Sequence, residues 1–84
     1  MPTAGYTYVY VLSSLTNPAR HYVGCTDNMQ ARLTSHNSGA NPHTVKYKPW
    51  QIEVCVAFRE AGKARAFEHY LKSGSGREFA RRHY

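Results

Sequence analysis

The chain has 84 residues and a mass of 9.6 kDa, a length that supports one domain around a single core, because so short a chain buries only about 60% of its unfolded surface. With 42% hydrophobic and 19% charged residues, its composition excludes a disordered segment. Eleven Lys and Arg against five Asp and Glu leave a net charge of +6, and nine of the eleven cations lie from Lys46 onward. Such an excess favours polyanions, nucleic acid first, because each phosphate contact releases condensed counterions. No apolar run approaches the roughly 18 residues of a bilayer span, so no membrane partner is expected. No basic-then-apolar leader is visible, and the expectation is a cytoplasmic domain. Cys25 and Cys55 have neither disulfide-framework nor metal spacing. Cys55, inside Val54-Cys55-Val56-Ala57-Phe58, is expected to be a small buried hydrophobe.

Tyr6 to Leu12 is aromatic and β-branched throughout, which predicts a strand with Tyr6, Tyr8 and Tyr10 on one face and Val9 and Val11 on the other. Ser13 to Ala19 is turn chemistry with an Asn-Pro pair. His21 to Cys25 returns as a second strand, closing a hairpin. Thr26-Asp27-Asn28 offers N-cap oxygens, and Met29 with Leu33 an apolar i, i+4 stripe, so a helix is predicted from about Asp27 to Asn37, stopped by Ser38-Gly39. Ala40 to Pro49 is a polar, basic loop. Trp50 to Phe58 reads as a third strand, and Glu60 to Lys72 as a helix with Ala64, Phe67 and Leu71 facing inward. After Ser73-Gly74-Ser75-Gly76, the spacing of Ser75 and Glu78 predicts a capping box for a short basic last helix anchored by Phe79. The order ββαβαα makes an α+β domain, a small three-stranded antiparallel sheet flanked by helices.

Each candidate side chain has an ordinary explanation. Tyr10 can be packing, and Gly24 can let the strand bend. Arg32 and His36, four apart, share one helix face. Glu68 can pair with Lys72 one turn later, for tenths of a kcal/mol. Their ordered combination is less ordinary: Tyr8-Val9-Tyr10, then Tyr22-Val23-Gly24, then Ala31-Arg32-Leu33, then His36-Asn37-Ser38-Gly39, then Arg65-Ala66-Phe67-Glu68.

In this order the chain, from about residue 6 to residue 82, resembles the GIY-YIG nucleases, and among them the small single-domain bacterial members. Tyr8 replaces the first Gly and a Val stands in the middle of each motif; the reacting Tyr is unchanged. The resemblance implies a metal-dependent DNA endonuclease hydrolysing phosphodiesters. Glu68 would hold a divalent cation, Mg²⁺ or Mn²⁺, which suits a hard oxygen ligand. Arg32 would hold phosphate oxygens. Tyr10 would be the general base, its pKa lowered by Arg32 and the metal, with Tyr22 orienting the water or phosphate. His36 stays open as an alternative base or phosphate contact.

Asn37, Ser38, Lys46 and Lys48 would line the substrate groove, and Lys72, Arg77, Arg81 and Arg82 would grip the backbone. DNA would be bound with little sequence preference, with branched or damaged DNA, and hence DNA repair, as the setting. RNA is not excluded. The competing reading is a nucleic-acid-binding module of the same fold with little or no cleavage, and a weaker one is a protein-interaction domain with a basic face.

Overall fold

The computed structural model describes residues 5–84. Strand β1 (Thr7–Ser14) lies in the middle of a three-stranded antiparallel sheet, between β2 (His21–Thr26) and β3 (Trp50–Phe58). Helix α1 (Met29–Ser38) follows β2, a single 3₁₀ turn (Val45–Tyr47) precedes β3, and α2 (Ala61–Leu71) and α3 (Gly74–His83) complete the chain. The fold is α+β in the predicted order ββαβαα.

The tyrosine–valine alternation of β1 explains its central place. Val9 and Val11 pack with Ala64 and Leu71 of α2, joined by Val23, Val54, Phe67 and Phe79. On the opposite face Tyr10 and Leu12 pack with Met29 and Trp50, joined by Tyr22, Leu33 and Tyr47. The apolar interior is therefore two clusters, one on each face of the sheet, rather than the single core expected. A small sheet covered on both faces leaves every residue of β1 from Tyr8 to Ser14 buried. Burying one Val or Leu side chain contributes roughly 1.5–3 kcal/mol.

Local chemistry sets the element ends. Asn28, of the three predicted cap candidates, takes the N-cap of α1, its Oδ1 accepting the Ala31 N–H at 3.1 Å. Gly39 ends the helix at φ 85°, in the left-handed region that glycine enters without penalty. The predicted capping box at Ser75 does not form. Ser73 caps α3 instead, accepting the Gly76 N–H at 3.1 Å, while Glu78 pairs with Arg81. Ser73 directly follows α2 and its hydroxyl also donates to the Tyr70 carbonyl at 2.6 Å, so the helix starts as α2 ends, with Gly76 packed where a Cβ would stand 1.7 Å from that same carbonyl oxygen.

Cys55 is exposed, not the buried hydrophobe expected. In the register Tyr10↔Cys55 it shares the α1 face of the sheet, whereas Val54 and Phe58 face α2 and α3. β3 is an edge strand, and here Cys55 and Ile52 face a hollow under Met29, Gln30 and Leu33 of α1 rather than close packing. A bulge in β3, where Val11 pairs Val54 but Leu12 pairs Ile52, passes over Glu53 and restores the alternation.

Candidate active site

Two strands and one helix bring three rings together. Tyr10 on β1 and Gly24 on β2 are cross-strand partners, as are Leu12 and Tyr22, so both phenols rise from the α1 face. A Cβ on Gly24 would stand 2.3 Å from the Tyr10 hydroxyl oxygen. This glycine therefore makes room for the tyrosine rather than a bend. From α1, His36 completes the group, its ring centroid 4.9 Å from that of Tyr22 and 5.9 Å from that of Tyr10.

His36 has no exposed surface, and both its ring nitrogens are engaged: Nε2 lies 2.9 Å from the Tyr10 hydroxyl and Nδ1 lies 2.7 Å from Thr44 Oγ1. Tyr10 is only 1% exposed. Tyr22 differs, being half-buried, and its hydroxyl makes no hydrogen bond among the described residues.

Burial decides the electrostatics. The Tyr10 phenol is pushed well above its ordinary range, first by desolvation and then by Tyr22, with Arg32 opposing and Glu68 adding to the rise. The expected lowering by cations is present through Arg32, but loss of water outweighs it. Burial, helped by the nearby Arg32 guanidinium, pushes His36 below its usual value and keeps the imidazole neutral.

Arg32, one turn before His36 on α1, is half-buried. Among the described residues its guanidinium makes no ion pair and no side-chain hydrogen bond. Glu68, on α2, carries a half-buried carboxylate whose Oε2 accepts from Lys72 Nζ at 3.0 Å, the pairing that the i, i+4 spacing predicts. The charges of Glu68 and Arg32 both act on the Tyr10 phenol and on the Cys25 thiol, Glu68 raising and Arg32 lowering each. Of the five predicted side chains, Tyr10, Tyr22 and His36 are in mutual contact, Arg32 stands one turn before His36 on α1, and Glu68 is on α2. Among the described residues no three His, Cys, Asp or Glu side chains converge.

The expected nucleic-acid contacts divide into two groups. Asn37 is committed within the fold: its Oδ1 accepts the Trp50 N–H at 2.5 Å and its Nδ2 donates to the Trp50 carbonyl at 3.1 Å. The Ser38 hydroxyl donates to the Ser35 carbonyl at 3.0 Å on the exposed end of α1. Lys46 lies over the Tyr47 ring at 5.5 Å, as Arg20 does at 4.8 Å, and Lys48 is exposed nearby. On the other side, Lys72, Arg77 and Arg81 line a cleft of about 750 Å³ together with Arg20 and Tyr22. Arg81 is tied to Glu78, whereas Arg77 and Arg82 are exposed without partners among the described residues. Thr44 and Arg20 are positions that sequence reading missed. Thr44 lies in a polar loop and Arg20 in a turn, with no periodicity to single out either.

A small basic α+β domain with two phenols and an imidazole packed together carries the side chains that the nuclease resemblance singles out. The family model described as the GIY-YIG catalytic domain matches residues 6–82, and the chain belongs to that family. It is also 36% identical, over 72 residues, to the "Structure-specific endonuclease subunit SLX1" of Debaryomyces hansenii. That match covers 76% of this chain and 20% of the relative, so the chain spans about a fifth of the curated relative's length.

Proposed function

We propose that this domain is a divalent-cation-dependent DNA endonuclease acting on branched or damaged DNA with little sequence preference. The observation that carries the reading is Arg32: a half-buried arginine whose charge acts on Tyr10 and His36, with no anion of its own among the described residues. Removing an arginine from water without a partner is costly, and a phosphodiester supplies the missing charge with matching planar geometry. The family membership and the similarity to the structure-specific endonuclease subunit of Debaryomyces hansenii support the same class of chemistry.

Arg32 holds the non-bridging phosphate oxygens and stabilises the charge that builds on them. Tyr22, with its free hydroxyl, orients the attacking water, while Tyr10 and His36 hold the Tyr22 ring from behind. A direct role for Tyr10 as base is disfavoured by its burial and its raised pKa. Glu68 suits a hard divalent cation such as Mg²⁺ or Mn²⁺: its Oε1 makes no hydrogen bond among the described residues, and one carboxylate with substrate phosphate and waters completes such a shell. When bound, the cation polarises the phosphate and acidifies water. The cleft beside Tyr22, with Lys72, Arg77 and Arg81 on its walls, is the path for the phosphate backbone.

One observation favours the binding-only alternative, the engagement of Glu68 by Lys72. Nicking of plasmid and branched DNA by wild type and Glu68→Ala, with and without Mg²⁺ or Mn²⁺, separates the two. The expected result is loss of divalent-dependent nicking with DNA affinity equal or slightly higher, since one negative charge near phosphate is gone. Equal nicking by both proteins refutes the site. No nicking by either, with binding retained, leaves the binding module.

A further inference from the structure

Thr44 has no exposed surface, although it sits in the polar stretch between α1 and β3. Its carbonyl accepts the Trp50 indole N–H at 2.9 Å, which ties it to the start of β3. Its hydroxyl lies 2.7 Å from His36 Nδ1, and across the ring Nε2 lies 2.9 Å from the Tyr10 hydroxyl. This row of three buried groups can run in two directions, and hydrogen-bond accounting separates them.

In the first direction the Tyr10 O–H donates to Nε2, the Nδ1–H donates to Thr44 Oγ1, and the Thr44 hydroxyl donates to the Asn41 carbonyl 3.5 Å away. Every proton then has an acceptor. In the reverse direction Thr44 donates to Nδ1 and Nε2–H donates to the Tyr10 oxygen. The Tyr10 proton then has nowhere to go, because His36 is its hydroxyl's hydrogen-bond partner among the described residues and the side chain is 1% exposed. A buried donor left unpaired keeps the full penalty of its lost hydration.

We infer that Thr44 is a positioning residue of the centre: its hydroxyl holds His36 as the Nδ1–H tautomer, leaving Nε2 to accept the Tyr10 proton and locking both rings behind Tyr22. The effect on turnover rests on the nuclease reading above; the tautomer does not. Thr44 acts through His36, whose ring packs 4.9 Å from Tyr22. Without the threonine hydroxyl, Nδ1–H has no acceptor, the ring exchanges tautomers, and the surface that Tyr22 rests on is no longer held.

¹⁵N-histidine spectra read the tautomer directly. In the wild type, above the pH at which His36 takes a proton, Nδ1 should carry the hydrogen and Nε2 should be bare. Thr44→Val keeps the side-chain shape and removes the hydroxyl. It should move His36 toward the Nε2–H form and lower kcat for divalent-dependent nicking about tenfold or more, with KM nearly unchanged; Thr44→Ser should restore both. A wild type protonated at Nε2 overturns the inference, as does a Thr44→Val protein whose kcat is unchanged, whatever its tautomer. Should Thr44→Val fail to fold, the wild-type tautomer and Thr44→Ser still decide. Should the wild type cleave no DNA at all, the nuclease reading falls, and the tautomer alone then upholds or overturns the part assigned to Thr44.

Discussion

At the scale of single residues, the buried ring of His36 has a measurable consequence for stability. Its folded pKa lies below the ordinary value of 6.5, through burial first and Arg32 second. The groups facing it are Tyr10 from β1, Tyr22 from β2 and Arg32 from its own helix; none is a carboxylate that would favour the imidazolium. An unfolded chain takes up this proton near pH 6.5, and the folded chain only at lower pH. Between those two values the unfolded state binds more protons, so stability rises with pH. The contribution is complete above about pH 6.5 and is lost as pH falls toward the folded pKa. Urea denaturation at several pH values should therefore show His36→Asn losing less stability than wild type between neutral pH and pH 5, although it starts lower because the contacts to Tyr10 and Thr44 are gone. Parallel pH profiles for the two proteins would contradict this.

At the scale of elements, two glycines test the packing by opposite signs. Gly76→Ala places a methyl against the Tyr70 carbonyl, backbone that cannot turn aside, and should cost about 3 kcal/mol or more by separating α3 from α2. Gly62→Ala, in the first turn of α2 with open space around it, should instead stabilise by up to about 1 kcal/mol. Urea midpoints for the two variants read both. The elements themselves were legible: β3 from Trp50 to Phe58 follows from its β-branched and aromatic run, and α2 from the inward spacing of Ala64, Phe67 and Leu71. The exposed Cys55 and the cap at Ser73 were not. The first depends on how loosely α1 packs over an edge strand and the second on how two helices meet, and both are tertiary facts that local pattern does not carry.

At the scale of the whole molecule, the strands and α1 bring residues separated by 26 positions, Tyr10 and His36, into direct contact. Motif order in the sequence singled out five side chains, of which Tyr10, Tyr22 and His36 meet in the fold. It was not enough to rank them: that Tyr10 is sealed behind His36 while Tyr22 keeps a free hydroxyl follows from the depth of the central strand. Nor could it foresee that Asn37 would bind the Trp50 backbone. The cations also sort only in three dimensions, with Lys72, Arg77, Arg81 and Arg20 around one cleft and Lys46 against Tyr47. The most direct measurement is single-turnover cleavage of branched DNA at saturating protein and Mg²⁺ by wild type and Arg32→Gln. A centre that closes around a phosphate predicts a rate about 10²-fold or more lower for the variant, with DNA affinity within a few-fold. An unchanged rate would show that the unpartnered guanidinium has no phosphate to hold.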